Sequence, residues 1–351
     1  MEISTPGRIC LFGEHQDYLG LPVIAMAISL RVNIIGEKRQ DRKIIIHKPD
    51  LGKKEIFSLD KLDYTHSRDY FKSGIKTCMN MGLSFEKGFE CEIKSNLPIQ
   101  AGTSSSSAIV VSWINFLAQL ADNKPKWSLK KIGKLAYQTE CVEFREPGGM
   151  MDQYITSCGG MLLIKSEPNV SVEKIDSELG SFVLGDSGEL KNTLDILDRC
   201  KTLRIKIFKK IKSVTSQFDL HTCKDDLDVS FLSKIEKNLF FATLKNRNLL
   251  EESLKELNKG KVDPIYFGDL LNQQHRILRD NLNVSTRKIE SMLSASKQAG
   301  AFGGKINGSG GGGCMFAYAP DNPKKVASAI ESVGGRAYII SKDEGTKILF
   351  K

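Results

Sequence analysis

The stretch from Phe89 to Leu120 leaves few folds open. Phe89, Cys91 and Ile93 alternate with Glu90, Glu92 and Lys94, the period of a strand that buries one face. Asn96 and Pro98 break the strand, and Gly102 with Ser104, Ser105, Ser106 and Ser107 leads into Ile109, Val110, Trp113, Phe116, Leu117 and Leu120 at helical spacing. A strand, a glycine turn and a helix that opens on serines predict a mixed α/β chain. A helix start carries unpaired N–H groups and about half a positive charge, and serine hydroxyls add donors without bulk. Two readings follow: phosphate oxygens lie against Gly102 to Ser107, or the serines cap a core helix.

Other segments alternate in the same way. Ser128 is placed to cap a helix carrying Leu129, Ile132, Leu135, Ala136 and Val142 on one face, with Glu140 near its far end. Pro147, Gly148 and Gly149 end it, and a short strand from Met161 to Ile164 closes a first domain. Beyond Pro168 the pattern predicts a strand over Phe182 to Gly185 and helices over Leu190 to Val214, Phe231 to Leu257, from Pro264, and over Thr286 to Ala299. A strand (Cys314 to Ala319), a helix (Asn322 to Val333) and two strands (Arg336 to Ile340, Lys347 to Phe350) complete it. A chain of 351 residues is expected to form two domains, 1–165 and 166–351.

Composition removes several function classes. The excess of 51 Lys and Arg over 42 Asp and Glu is spread along the chain, as on a solvated surface that also attracts a polyanion. Without arginines interleaved with aromatics, nucleic acid is not an expected partner. No apolar run approaches the roughly 18 residues of a membrane span, and MEISTPGRICLFGEH does not read as a signal peptide. The eight cysteines are scattered singly, without CxxC pairs, which suits a reducing cytoplasm. A cytoplasmic location is therefore expected, and the sequence is silent on oligomeric state.

Two glycine-rich matches are decoys. Gly303-Gly304-Lys305 lacks the Gly and the Ser or Thr that a Walker loop needs where Ala299 and Ile306 stand, and Gly308, Gly310 and Gly313 precede a strand rather than a helix. More telling is GRICLFGEHQDYLG, where Arg8, Glu14, His15 and Asp17 alternate donors and acceptors suited to a polyhydroxylated ligand. Asp152, behind the Gly148-Gly149 turn, is either a buried base or a helix N-terminal acid.

The spacing from GRICLFGEHQDYLG through PIQAGTSSSSA to GAFGGKINGSGGGGC resembles the GHMP kinases, and GEHQDY is similar to their galactokinase branch rather than the mevalonate or homoserine branches. Glu140, twelve residues before Asp152, resembles the family's magnesium ligand. FGDLLNQQHRILRDNLNVS is similar to the helix galactokinases carry before their third motif. The likeness is good over 1–165 and 265–318 and faint between. It implies a two-domain α/β (α+β) fold, N-terminal ribosomal protein S5 domain 2-like and C-terminal ferredoxin-like, with the site in the cleft.

The activity it implies is transfer of the ATP γ-phosphoryl group to the anomeric hydroxyl of a monosaccharide, galactose first among the candidates. By that resemblance Asp152 and Arg8 are catalytic, and Glu14, His15, Asp17 and Gly149 hold the sugar. Gly102, Thr103, Ser104, Ser105, Ser106 and Ser107 hold ATP, Ser106 and Glu140 hold Mg2+, and Gly308 to Gly313 folds back to support the phosphate loop. Three departures bear on the sugar: Thr103 replaces a usual leucine, Lys305 a usual arginine, and the tyrosine expected after Asp186-Ser187-Gly188 is absent, with Arg199 near that place. Another hexose, a heptose or an amino sugar is the alternative substrate, and a non-catalytic sensor of sugar and ATP is the rival of a different class.

Overall fold

The computed structural model describes residues 1–98, 101–190 and 192–350. Ile99 and Gln100 of the serine-rich motif, Lys191 in the helix expected from Leu190, and Lys351 lie outside the described residues. The first half contains β1 (Glu2–Phe12), β2 (Val23–Lys38), β3 (Lys43–Lys48), β4 (Lys53–Ser58), α1 (Tyr70–Asn80), β5 (Phe89–Ser95), α2 (Ser105–Leu120), α3 (Leu129–Tyr137), α4 (Met151–Cys158) and β6 (Met161–Lys165). Then come β7 (Ser171–Lys174), β8 (Phe182–Asp186), α5 (Thr193–Val214), α6 (Lys234–Leu257), α7 (Pro264–Asp280) and α8 (Arg287–Gln298). The chain finishes with β9 (Gly303–Ile306), β10 (Cys314–Tyr318), α9 (Pro323–Ser332), β11 (Arg336–Ile340) and β12 (Lys347–Phe350).

Two sheets organise these elements. The larger runs β12-β1-β2-β5-β3-β4, with β6 on β2 and β7 on β6; the smaller is antiparallel, β11-β8-β10-β9. The division expected at residue 165 is crossed twice, because β7 and β12 belong to the first sheet. Strand β1 has a free edge on the side away from β2, and β12 fills it, pairing Ile3 with Ile348 and Ser4 with Lys347.

The apolar stripe of α2 explains why the serine-rich segment is held where it is. Trp113, Phe116 and Leu117 are buried, and Trp113 packs against Phe89 of β5 and Phe71 of α1 at centroid distances of 5.5 and 5.1 Å. Its indole N–H donates to the Phe71 carbonyl at 3.0 Å, so the ring is fixed at both ends. In the second half Ile289, Met292, Val326 and Ile330 of α8 and α9 pack on Val183, Met315 and Ala317 of the small sheet. Strand β9 and helix α1, together with the β3–β4 hairpin, have no counterpart in the sequence-based expectations.

Candidate active site

Arg8 is placed by its own strand. A Cβ on Gly7 would sit 2.9 Å from the Thr103 carbonyl, so the bare backbone lets Leu97 and Thr103 lie on β1, and the Arg8 N–H donates to that carbonyl at 3.1 Å. From there the guanidinium donates through Nε to Asp152 Oδ1 at 2.8 Å and through Nη1 to the Gly102 carbonyl. Burial works against the Arg8 charge, but the carboxylates of Asp152 and Glu14 more than reverse this and raise its pKa. Asp152, on the first turn of α4, keeps 28% of its side chain exposed and faces the cleft rather than being buried as one reading of the sequence had it.

The serine-rich motif opens α2 without capping it. Ser104 adopts left-handed backbone (φ 59°), makes no side-chain cap and leaves its buried Oγ without a partner among the described residues. Ser106 is exposed at the helix mouth and Ser107 is buried. Thr103 stands apart from the other five. It is fully buried, its hydroxyl reaches the Pro98 carbonyl at 3.5 Å, and it does not line the cleft, so of the six residues assigned to ATP it is the one whose side chain faces the core.

The third motif folds back onto the second. Asn307, fully buried, accepts from the Cys10 N–H at 3.0 Å and donates to the Gly102 carbonyl at 2.8 Å, and the Cys314 N–H donates to Ala101 O at 2.7 Å. Gly308 and Gly313, both at positive φ, approach Gly102 and Ala101 so closely that a Cβ would lie 2.8 and 2.6 Å from their carbonyl oxygens. The turn at Ala101 to Thr103 is thus pinned by β1 on one side and by the third motif on the other.

Across the cleft Glu14 is clamped. Its Oε2 accepts from Lys305 Nζ at 3.0 Å and from the Gly308 N–H at 2.9 Å, deep in the protein, where Lys305 also donates to Cys10 O at 2.8 Å. Lys305, which stands where a family arginine is expected, is therefore a buried counter-ion of Glu14. His15, at φ 63°, engages the Tyr18 hydroxyl at 2.8 Å and the Ser309 carbonyl at 3.0 Å. Asp17 is half-buried. Burial and then the Asp152 charge push its pKa up to about 6, against the Tyr18 N–H it accepts. Gly149 lies so near that a Cβ would meet Asp17 Oδ2 at 2.0 Å.

Glu140 follows α3 in a wide π-turn over Gln138–Val142 and is buried. Burial raises its pKa, opposed by Gln153, Ser107 and Ser106. Gln153 Nε2 donates to Glu140 Oε2 at 2.6 Å and to Ser107 Oγ at 3.2 Å, while its Oε1 is buried without a partner among the described residues. The sequence reading did not single out Gln153, Tyr18, Arg68 or Glu146, which line the cleft, nor Asn307, which holds the Gly102 turn. Gln153 is the next residue after Asp152, and Asn307 lies inside the third motif, so adjacency was the available signal for these two. Arg199 is turned elsewhere, to the carbonyls of Leu282 and Asn283 at 3.0 and 3.4 Å, and does not line the cleft.

Apart from Thr103, all the candidate residues line one cleft of about 490 Å³. A neighbouring cavity of about 240 Å³ shares Arg68, Ser105, Ser106 and Ile109 with it and is walled by Phe71, Val110 and Trp113. Among the described residues no three His, Cys, Asp or Glu side chains form a metal cluster. A metal held mainly by substrate phosphates needs only one or two protein donors, and buried Glu140 beside Ser106, with the orphaned Gln153 oxygen adjacent, fits that demand.

The mouth of α2 and the Arg8–Asp152 pair line one cleft, which brings together the donors and the charges that phosphoryl transfer asks for. Residues 69–160 match the family "GHMP kinases N terminal domain", residues 251–336 match "GHMP kinases C terminal", and residues 2–38 match "Galactokinase galactose-binding signature". The chain belongs to the GHMP kinases, which use ATP, and has their mixed α/β two-domain fold. It is a kinase of the sugar- and mevalonate-phosphorylating type. Mevalonate kinase of Pyrococcus abyssi is 29% identical, over 98% of this chain and 96% of its own length. Galactokinase of Clostridium perfringens is 28% identical, over 94% and 88%. The crystal structure of Lactococcus lactis galactokinase complexed with galactose superposes with a TM-score of 0.84 at 22% identity, covering 99% of this chain and 94% of that one. No helix among the described residues is long and apolar enough to cross a membrane.

Proposed function

We propose that this kinase transfers the γ-phosphoryl group of ATP to the anomeric hydroxyl of a neutral monosaccharide, galactose first. The observation that carries the reading is the Arg8–Asp152 pair, at 2.8 Å, facing exposed Ser106 in the same cleft as Glu14, His15 and Asp17. The adenine ring would occupy the apolar cavity beside Trp113, and the triphosphate would run along Gly102 and Ser104 to Ser107 toward Asp152. Asp152 would hold the acceptor hydroxyl and take its proton, while Arg8 holds that carboxylate in place and offsets charge on the moving group. Glu14, His15, Asp17 and Gly149 would frame the sugar. Glu140 and Ser106 would hold Mg2+, which when bound neutralises phosphate charge.

A neutral acceptor is favoured over a carboxylate by the charges present. The cations lining the described cleft are Arg8, paired with Asp152, and Arg68, paired with Glu146 at 2.6 Å, whereas Glu14, Asp17 and Asp152 are acidic. The second reading is mevalonate as acceptor, which the whole-length similarity to mevalonate kinases supports. A coupled ADP-release assay over galactose, other hexoses, a heptose, an amino sugar and mevalonate separates them. Turnover with galactose is expected. Turnover with mevalonate alone would replace the sugar reading, and none with any acceptor would favour the sensor.

A further inference from the structure

A cavity of about 720 Å³ lies outside the acceptor cleft, between α5, α6 and the turn after α7. That is a size at which small molecules are bound, roughly 300–1,000 Å³. Its charged lining is one-sided. Arg199, Arg204 and Lys234 line it, and the acid among its described residues, Asp280, is already held by Arg279 at 2.6 Å. Arg204 is only 1% exposed, yet its bonds go to the Cys200 carbonyl at 2.8 Å and to the Tyr18 hydroxyl, and no described carboxylate lies within 4.0 Å of it. Among the described residues Arg199 likewise donates to backbone carbonyls, those of Leu282 and Asn283. A guanidinium does not lose its charge on burial, so Arg204 sits in a low-dielectric wall with a tyrosine ring at 5.3 Å in place of a counter-ion.

The facing wall is apolar, built from Leu203, Leu239, Leu282 and Ile235, the last 75% exposed. We propose that this cavity is a second, non-catalytic binding site for a small organic phosphate that carries an apolar part. Three cations exceed what a single carboxylate would neutralise, whereas a phosphate monoester is close to a dianion at neutral pH. The site is wired to the acceptor cleft. Arg204 lines one cavity and Tyr18 the other, and the Tyr18 hydroxyl joins the Arg204 guanidinium to His15 Nδ1. A phosphate on Arg204 competes with the Tyr18 oxygen for the same donors and loosens His15 at the acceptor end.

Phenyl phosphate is the probe, titrated calorimetrically into the full chain with the nucleotide site filled by a non-hydrolysable ATP analogue. One-site binding is expected, tighter than that of inorganic phosphate. In the double variant Arg199→Gln/Lys234→Gln, which changes two exposed side chains and spares the core, affinity falls about tenfold or more. The proposal is overturned by no binding, by binding that the double variant leaves unchanged, by binding that the ATP analogue abolishes, or by inorganic phosphate binding equally well. In turnover, phenyl phosphate is expected to raise the KM of the acceptor and not that of ATP, and competition with ATP instead would refute the Tyr18 coupling. That coupling rests on the acceptor reading of the cleft; the titration needs no turnover, so the two failures are distinguishable.

Discussion

Gly149 is the position where one added carbon should touch specificity and little else. A Cβ there would lie 2.0 Å from Asp17 Oδ2, 2.4 Å from Cγ and 3.0 Å from its Cβ, and real Cβ contacts do not fall below 3.0 Å. The carboxylate must therefore retreat by about 1 Å, a displacement of the size that costs on the order of 100-fold in a positioned site. The Asp17 side chain is short and accepts from the Tyr18 N–H at 2.9 Å, so a retreat of the carboxylate strains that bond. Gly149→Ala is expected to lower kcat/KM for the acceptor about 100-fold through KM, to leave the KM of ATP near its wild-type value, and to shift thermal unfolding little. Initial rates over a grid of both substrates read this directly. An unchanged acceptor KM would refute Asp17 and Gly149 as acceptor contacts.

Lys305→Met removes the partner of a buried ion pair and leaves the Glu14 carboxyl without it, and is expected to destabilise the fold by about 3–5 kcal/mol in chemical denaturation. Asn307→Ala orphans the Cys10 N–H and a Gly102 carbonyl bond, with an expected loss of about 2 kcal/mol and a raised KM for ATP in steady-state assays. Because the Asp17 pKa is pushed up to about 6, acceptor kcat/KM should climb as pH rises through 6, and Asp17→Asn should remove that limb. The stability effect has the opposite sign. The folded chain holds this proton more tightly than the unfolded one, so the Asp17 contribution declines between the ordinary 3.8 and about 6, a slope that unfolding titrations of the same variant should flatten.

Regular periodicity carried most of what the sequence revealed. The β5–α2 unit and the start of α3 at its Ser128 cap follow patterns that depend only on local burial, whereas the helix expected to carry Val142 and end at Pro147 stops at Tyr137, passes into the π-turn over Gln138–Val142 and leaves Val142 exposed. The hairpin of β3 and β4 was illegible because its outward residues mix lysine with isoleucine, and Ile56 is 60% exposed. Strand β9 was hidden by its glycines: Gly303 and Gly304 look like a loop, but a Cβ on Gly303 would lie 1.9 Å from the Gly268 carbonyl, so bare backbone is what lets α7 pack there. The closing strand β12 was visible as a strand but not as a neighbour of β1, since that pairing joins residues over 340 positions apart. In the site, residue types announced Arg8, Glu14 and Asp152, while the inward turn of Thr103 and the Glu14–Lys305 pair arise only from tertiary contacts.

The central claim is that Asp152, held by Arg8, works on the acceptor across from a nucleotide lying at the mouth of α2. Single-turnover phosphorylation and ATP-analogue affinity of Asp152→Asn, measured on the same preparation, test it most directly. The account predicts a loss of about 10²–10⁴-fold or more in the phosphoryl-transfer rate with the nucleotide still bound at near wild-type affinity. A variant that transfers phosphate at the wild-type rate would contradict it.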